Sequence, residues 1–121
     1  MSWKFNSTEA VFVQIAKRLR NEILAGKYPK DQQFPTVRLL AAEAGVNPNT
    51  MQRALLLLEE EGLLRTRGTV GRFITTDETV LTAAKDQMCR ETVRAFFREA
   101  DALGISREEL FQYLKEEDPS L

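Results

Sequence analysis

The chain has 121 residues, 43% hydrophobic and 29% charged, with a formal net charge of −1, which fits one ordinary soluble domain or a small domain with an appendage. It has no histidine and a single cysteine, Cys89, so the commonest general base, a Cys/His zinc site and an intrachain disulfide are all excluded. It also lacks phosphate-cradling G-x-x-x-x-G-K-[ST] and G-x-G-x-x-G loops, any window near 18 apolar residues, and, over residues 1–7, the basic and apolar regions of a signal peptide. The expectation is a cytoplasmic protein that is not an enzyme, with no catalytic residues, metal, cofactor or membrane association.

In chain order, Ser7 or Thr8 is expected to cap a first helix running to about Ala25. Val11, Phe12, Ile15, Leu19 and Ile23 recur along it at spacings of three and four, an amphipathic stripe closed by Gly26. Residues 27–35, with a glycine before them and two prolines among them, read as a loop. Thr36 caps a short helix through Ala44, which Gly45 ends. Asn47 caps the next helix and Pro48 takes its first position, where a missing N–H costs nothing. That helix runs to about Glu61 and stops at Gly62. At 100° per residue, Met51, Ala54, Leu55 and Leu58 share one arc, and Asn49, Gln52, Arg53 and Leu56 share the opposite one.

Leu63–Arg67 and Gly71–Thr75 read as two strands joined by Gly68-Thr69-Val70, a three-residue hairpin loop. A long helix from about Thr79 to Leu103 follows, with Leu81, Ala84, Met88, Ala95, Phe96, Ala100 and Leu103 in helical period and Val93 and Phe97 widening the arc. Gly104 breaks it, and Ser106-Arg107-Glu108-Glu109 forms a capping box for a last helix with Leu110, Phe111 and Leu114 on its apolar side. Cys89 is expected to be a small buried residue rather than a redox sensor.

Two helices joined by a tight turn, the second opening with polar side chains, present themselves as a helix-turn-helix presents itself to a DNA groove, and a hairpin directly after it is a wing. The expected fold is therefore mainly α with a small β-hairpin: a winged helix-turn-helix over residues 1–76 and a helical dimerisation segment over 77–121. Charge follows this division. Residues 1–76 hold eleven Lys and Arg against seven Asp and Glu, and residues 77–121 hold six against eleven. The amides of Asn49 and Gln52 suit the N6/N7 edge of adenine, Arg53 suits guanine or a phosphate, and Arg38 can point to the same side. Thr36 and Asn47 are first of all helix caps. Arg67, Thr69 and Arg72 can reach the DNA backbone or the adjacent minor groove from the wing. The broad apolar arc of the long helix exceeds what the last helix can cover, which nominates Met88, Phe96, Phe97 and Leu103 as a homodimer interface. A winged-helix protein-interaction module that does not bind DNA is the alternative.

The run Phe34-Pro35-Thr36-x-Arg38-x-Leu40-Ala41, then Gly45-Val46-Asn47-Pro48-Asn49-Thr50-x-Gln52-Arg53-Ala54, then Leu58-Glu59-x-Glu61-Gly62-Leu63, resembles the winged helix of GntR-type bacterial transcriptional regulators over about residues 8–75. The short remainder is similar to the YtrA subfamily. The resemblance implies a repressor binding a palindromic double-stranded operator as a homodimer, with its C-terminal helices making the dimer and an ABC transporter operon as a neighbour. It places Arg38, Asn49, Thr50, Gln52 and Arg53 at DNA-touching positions. Where the family wing commonly reads Arg-Arg-Gly-Arg-Gly-Thr-Phe-Val, this chain has Arg67-Gly68-Thr69-Val70-Gly71-Arg72-Phe73-Ile74. Without the tip arginine, Arg67 and Arg72 are expected to make weaker backbone contacts. Leu56 and Leu57 stand where the family usually has polar residues, and are expected to pack on the C-terminal helices. No pocket for a small-molecule effector is legible in the sequence.

Overall fold

The computed structural model describes residues 2–121; Met1, the first residue of the expected DNA-binding domain, lies outside them. The elements are α1 (Val11–Leu24), α2 (Val37–Ala44), α3 (Pro48–Glu60), β1 (Leu64–Arg67), β2 (Gly71–Ile74), α4 (Glu78–Ala102) and α5 (Arg107–Glu117). The chain divides into two compact units, one extending to Ala84 and the other from Lys85 to Leu121.

In the first unit α1 and α2 pack on α3, and the hairpin closes the open side of the core. Each helix buries the stripe its spacing dictates: Ile15, Leu19 and Ile23 from α1, Leu40 and Ala44 from α2, Met51, Leu55 and Leu58 from α3. Leu63, Leu64 and Ile74 complete the cluster from the wing. A fully buried Leu or Ile of this kind contributes about 1.5–3 kcal/mol relative to leaving it in water.

Local chemistry sets the helix ends. The Thr36 hydroxyl accepts from the Leu39 amide at 3.2 Å, and the Asn47 side-chain oxygen accepts from the Asn49 amide at 2.7 Å, with Pro48 in the first turn. The turn between α2 and α3 passes through Gly45 in the left-handed region, φ 73°. Glycine is needed there for a second reason: a Cβ on it would stand 2.5 Å from the Ser2 Cβ. Ser2 and Trp3 lie along this turn, with the Trp3 amide donating to the Ala44 carbonyl at 3.1 Å.

The start of α1 differs from expectation. Its N-cap is Ala10, with no side-chain cap. Thr8 turns its hydroxyl and amide to the Asn6 side-chain oxygen instead, at 2.7 and 3.0 Å. Such Asx turns compete with helix capping for the same polar groups. Gln14 then ties the arm to α1 by donating to the carbonyls of Asn6 and Glu9.

The wing pairs antiparallel in the register Leu64 with Ile74 through Arg67 with Gly71, around the three-residue loop 68–70. It has a third edge inside the stretch expected to be a loop. The Phe34 amide donates to Arg72 O at 2.7 Å, Ile74 N to Gln32 O at 2.9 Å, and Gln33 bridges Phe73. The first turns of α4 belong to this unit too, because Val80, Leu81 and Ala84 pack against its core. The compact unit thus reaches past the Thr76–Asp77 change in charge.

In the second unit α5 returns against the end of α4. Ser106 and Glu109 form the full capping box, Ala100 and Leu110 are buried, and Arg107 pairs with Asp101 at 2.7 Å while its guanidinium lies 4.5 Å from the Phe97 ring centre. Over residues 85–94 only Met88 is shielded. Cys89, expected to be buried, is therefore exposed, because it lies on a stretch of α4 that no side chain of its unit covers.

Candidate nucleic-acid interface

The capped turn fixes where α3 begins, and with it which side chains stand at the surface. Asn49 and Arg53 are exposed on α3, and Thr50 and Gln52 are half-buried between that surface and the core. Arg38, in the first turn of α2, is exposed. These five residues are all in the first unit, on the two helices of the helix-turn-helix. The oxygens of Thr36 and Asn47 are occupied as caps, each worth about 1 kcal/mol to its helix. What either offers DNA is its remaining donor capacity.

Arg53 has a distinctive setting. Its guanidinium carbon lies 4.0 Å from the centre of the Phe12 ring on α1, and among the described residues it has no carboxylate partner. The N–H groups in the guanidinium plane stay available, and the terminal amides and dipole of α3 favour an anion at the same end of the helix.

The wing arginines are held differently. Arg72 turns inward, its side chain only 16% exposed, and pairs with Glu59 on α3, which also accepts from the Thr66 hydroxyl at 2.8 Å. Arg72, expected at the DNA backbone, here bolts the wing to the helix, because a half-buried guanidinium needs a carboxylate partner. Arg67 is half-exposed, pairs with Asp31 and lies with its guanidinium 4.2 Å from the Phe73 ring centre. The tip carries Thr69 and Val70, both exposed and neither charged. Gln33 donates from its side chain to Val70 O at 2.9 Å and steadies the tip from below.

Sequence reasoning missed Phe12, Asp31 and Glu59 as parts of this surface. Phe12 was legible only as a member of the apolar stripe of α1. Nothing in the spacing of Asp31 or Glu59 points across the fold to a wing arginine.

In the second unit the four nominated interface residues have unlike surroundings. Phe96 and Leu103 are 41% and 78% exposed and border an apolar groove of about 600 Å³ whose floor includes Leu110 and Leu114. Phe97 is half-buried beneath Arg107, and Met88 is half-buried on the open stretch of α4. Of the two unexpected leucines on α3, Leu57 packs partly on the winged-helix core, and Leu56 is 43% exposed.

Among the described residues no cluster of His, Cys, Asp and Glu could hold a metal ion, and no helix is long and apolar enough to cross a membrane.

Comparison with known proteins agrees with this geometry. Residues 12–74 match the family model described as bacterial regulatory proteins, gntR family. The Bacillus subtilis HTH-type transcriptional regulator YhcF is 30% identical over 115 residues, covering 95% of each chain. The HTH-type transcriptional repressor YtrA of the same organism is 30% identical, covering 91% of this chain and 85% of its own. Among solved structures, a GntR family transcriptional regulator from Listeria monocytogenes superposes with a TM-score of 0.84 at 28% identity, over 93% of this chain and 98% of that one. The DNA-binding domain of AraR in complex with its operator ORX1 matches with a TM-score of 0.53 at 26% identity, over 60% of this chain and 93% of that one.

Proposed function

This chain belongs to the gntR family of bacterial regulatory proteins, and from that premise we propose that it is a cytoplasmic repressor that binds a palindromic operator as a homodimer. The observation that carries the reading is the exposed opening of α3, where Asn49 and Arg53 stand free on a capped helix within the basic part of the chain. Two-fold symmetric copies set two such helices into successive major grooves, half-sites about one helical turn apart. Arg38, Asn49, Thr50, Gln52 and Arg53 make the contacts, Arg53 to guanine or phosphate and the amides to adenine. Arg67 and Thr69 touch the backbone, and Thr36 and Asn47 orient the helices. Domain roles follow the charge: the winged helix within residues 1–76 reads DNA, and the helices within 77–121 dimerise through Met88, Phe96, Phe97 and Leu103.

That the protein named a repressor in Bacillus subtilis is similar over most of both chains supports the sign of regulation. The operator-bound AraR domain supports the mode of binding. The likeness to YtrA-type regulators makes neighbouring transporter genes the first target to footprint.

The test is titration of the protein's own promoter DNA at several salt concentrations, with sedimentation of the same samples. Arg38→Ala and Arg53→Ala each weaken binding, and loss of one phosphate contact lowers the salt slope by about one. Phe96→Asp gives a soluble monomer with operator binding lost. A promoter fragment that does not shift at low salt removes the DNA-binding reading in favour of a protein-interaction module, and a Phe96→Asp variant that still sediments as a dimer removes the interface.

A further inference from the structure

We propose that Phe12 is a positioning residue for Arg53: its ring is the platform that holds the guanidinium flat and free at the DNA-facing end of α3. The proposal rests on the reading that α3 contacts DNA, and adds the element that makes one of those contacts effective.

The argument starts from how an exposed arginine behaves. Its side chain carries about 2 kcal/mol of rotamer entropy, much of which must be surrendered when it binds. Two devices in this fold restrain arginines beforehand, and they have opposite consequences. A carboxylate fixes the guanidinium by occupying its N–H edge, as Glu59 does to Arg72, Asp31 to Arg67 and Glu61 to Arg20, the last with two hydrogen bonds at 2.7 and 2.6 Å. An aromatic face fixes the guanidinium through its π-surface and leaves the whole edge unpaired.

Arg67 is held both ways, by Asp31 and by Phe73, so its edge is already engaged. Arg53 is held by the ring alone, its guanidinium carbon 4.0 Å from the Phe12 ring centre, with no carboxylate pair among the described residues. The ring comes from the first turn of α1, and α1 packs directly on α3, so the platform belongs to the rigid body of the domain. A restrained guanidinium with an open edge is what bidentate contact with guanine O6/N7 or with a phosphate requires. Phe12 itself supplies no hydrogen bond. It acts on DNA only through Arg53.

The experiment is a double-mutant cycle on the 121-residue chain, reading promoter-fragment affinity by fluorescence anisotropy and folding by thermal melting. Phe12→Leu keeps an apolar side chain but removes the π-face. It is expected to weaken specific binding about three- to tenfold, the range a partly exposed cation–π contact supports. In the Arg53→Ala background the same change is expected to cost nothing further, because the residue it positions is gone. Phe12→Tyr restores wild-type affinity. A merely structural role predicts the opposite pattern, with Phe12→Leu weakening binding equally in both backgrounds. Either that result, or wild-type affinity of Phe12→Leu while Arg53→Ala is impaired, overturns the proposal. If Arg53→Ala itself binds as tightly as wild type, it is the contact of Arg53 with DNA that fails, and the positioning role fails with it. Phe12→Met takes the place of Phe12→Leu in the cycle if the leucine variant does not fold.

Discussion

Substituting Asp31 by asparagine tests how the wing meets DNA. Asp31 is the non-glycine residue found at positive φ, 62°, among the described residues, and its carboxylate pairs with Arg67. Asparagine tolerates the same backbone, so the change removes the charge and little else. The pair is half-exposed, 51% for Arg67 and 50% for Asp31, where such pairs contribute about 0–1 kcal/mol, and a large change in melting temperature is not expected. DNA binding reads the change more directly. A carboxylate at about 10 Å from a phosphate in water opposes binding by roughly 0.4 kcal/mol. Removing one from each of two wings gains about 0.8 kcal/mol, near a fourfold increase in affinity at low salt. Each Arg67 released to a phosphate also steepens the log–log salt slope by about 0.9, or about 1.8 for the dimer. Anisotropy titrations between 50 and 200 mM salt read both quantities. In Arg67→Ala/Asp31→Asn the added slope disappears. An unchanged slope and affinity in Asp31→Asn refutes the argument that Asp31 competes with DNA for Arg67.

Two further outcomes follow from local geometry. Asn47→Ala removes the cap of α3 and lowers stability by about 1 kcal/mol, visible as a shift in the urea midpoint at constant slope; no shift means that the backbone satisfies the Asn49 amide without it. Hydrogen bonds from the Thr79 hydroxyl and amide hold the Asp77 carboxyl below its ordinary value. A depressed carboxyl contributes stability that is full above its ordinary value and lost as pH falls through the lowered one. Protection of the Thr79 and Val80 amides, relative to their intrinsic exchange rates, therefore falls on acidification below the ordinary carboxylate range, and Asp77→Asn abolishes that loss; a variant that keeps it refutes the assignment.

The helix-turn-helix was readable because its determinants are local. Thr36, Gly45, Asn47 and Pro48 each act within three residues, so their order in the chain states the geometry outright. The hairpin and the capping box at Ser106 are legible for the same reason. What escaped depends on competition or on distance. Thr8 is a plausible cap until Asn6 takes its hydroxyl. The single bridge from Gln33 to Phe73 within the 27–35 loop is set by what β2 offers across the fold, and no local pattern announces it. Arg72 looks like a DNA contact in a linear motif, and only the packing of β2 over α3 turns it toward Glu59. Phe12 carries the same spacing signal as its buried neighbours Ile15 and Leu19, so the pattern gives no sign that one face of its ring is spoken for by a residue 41 positions away.

The extended arm at residues 2–5 bears on how this protein is handled in the laboratory. Trp3 is bonded to the end of α2, and Ser2 fills the space that a side chain at position 45 would need. A purification tag or reporter fused ahead of Ser2 is thus attached beside the turn that joins α2 to α3, next to the helix that would read DNA. Binding constants measured on such a fusion describe the tag as well as the protein.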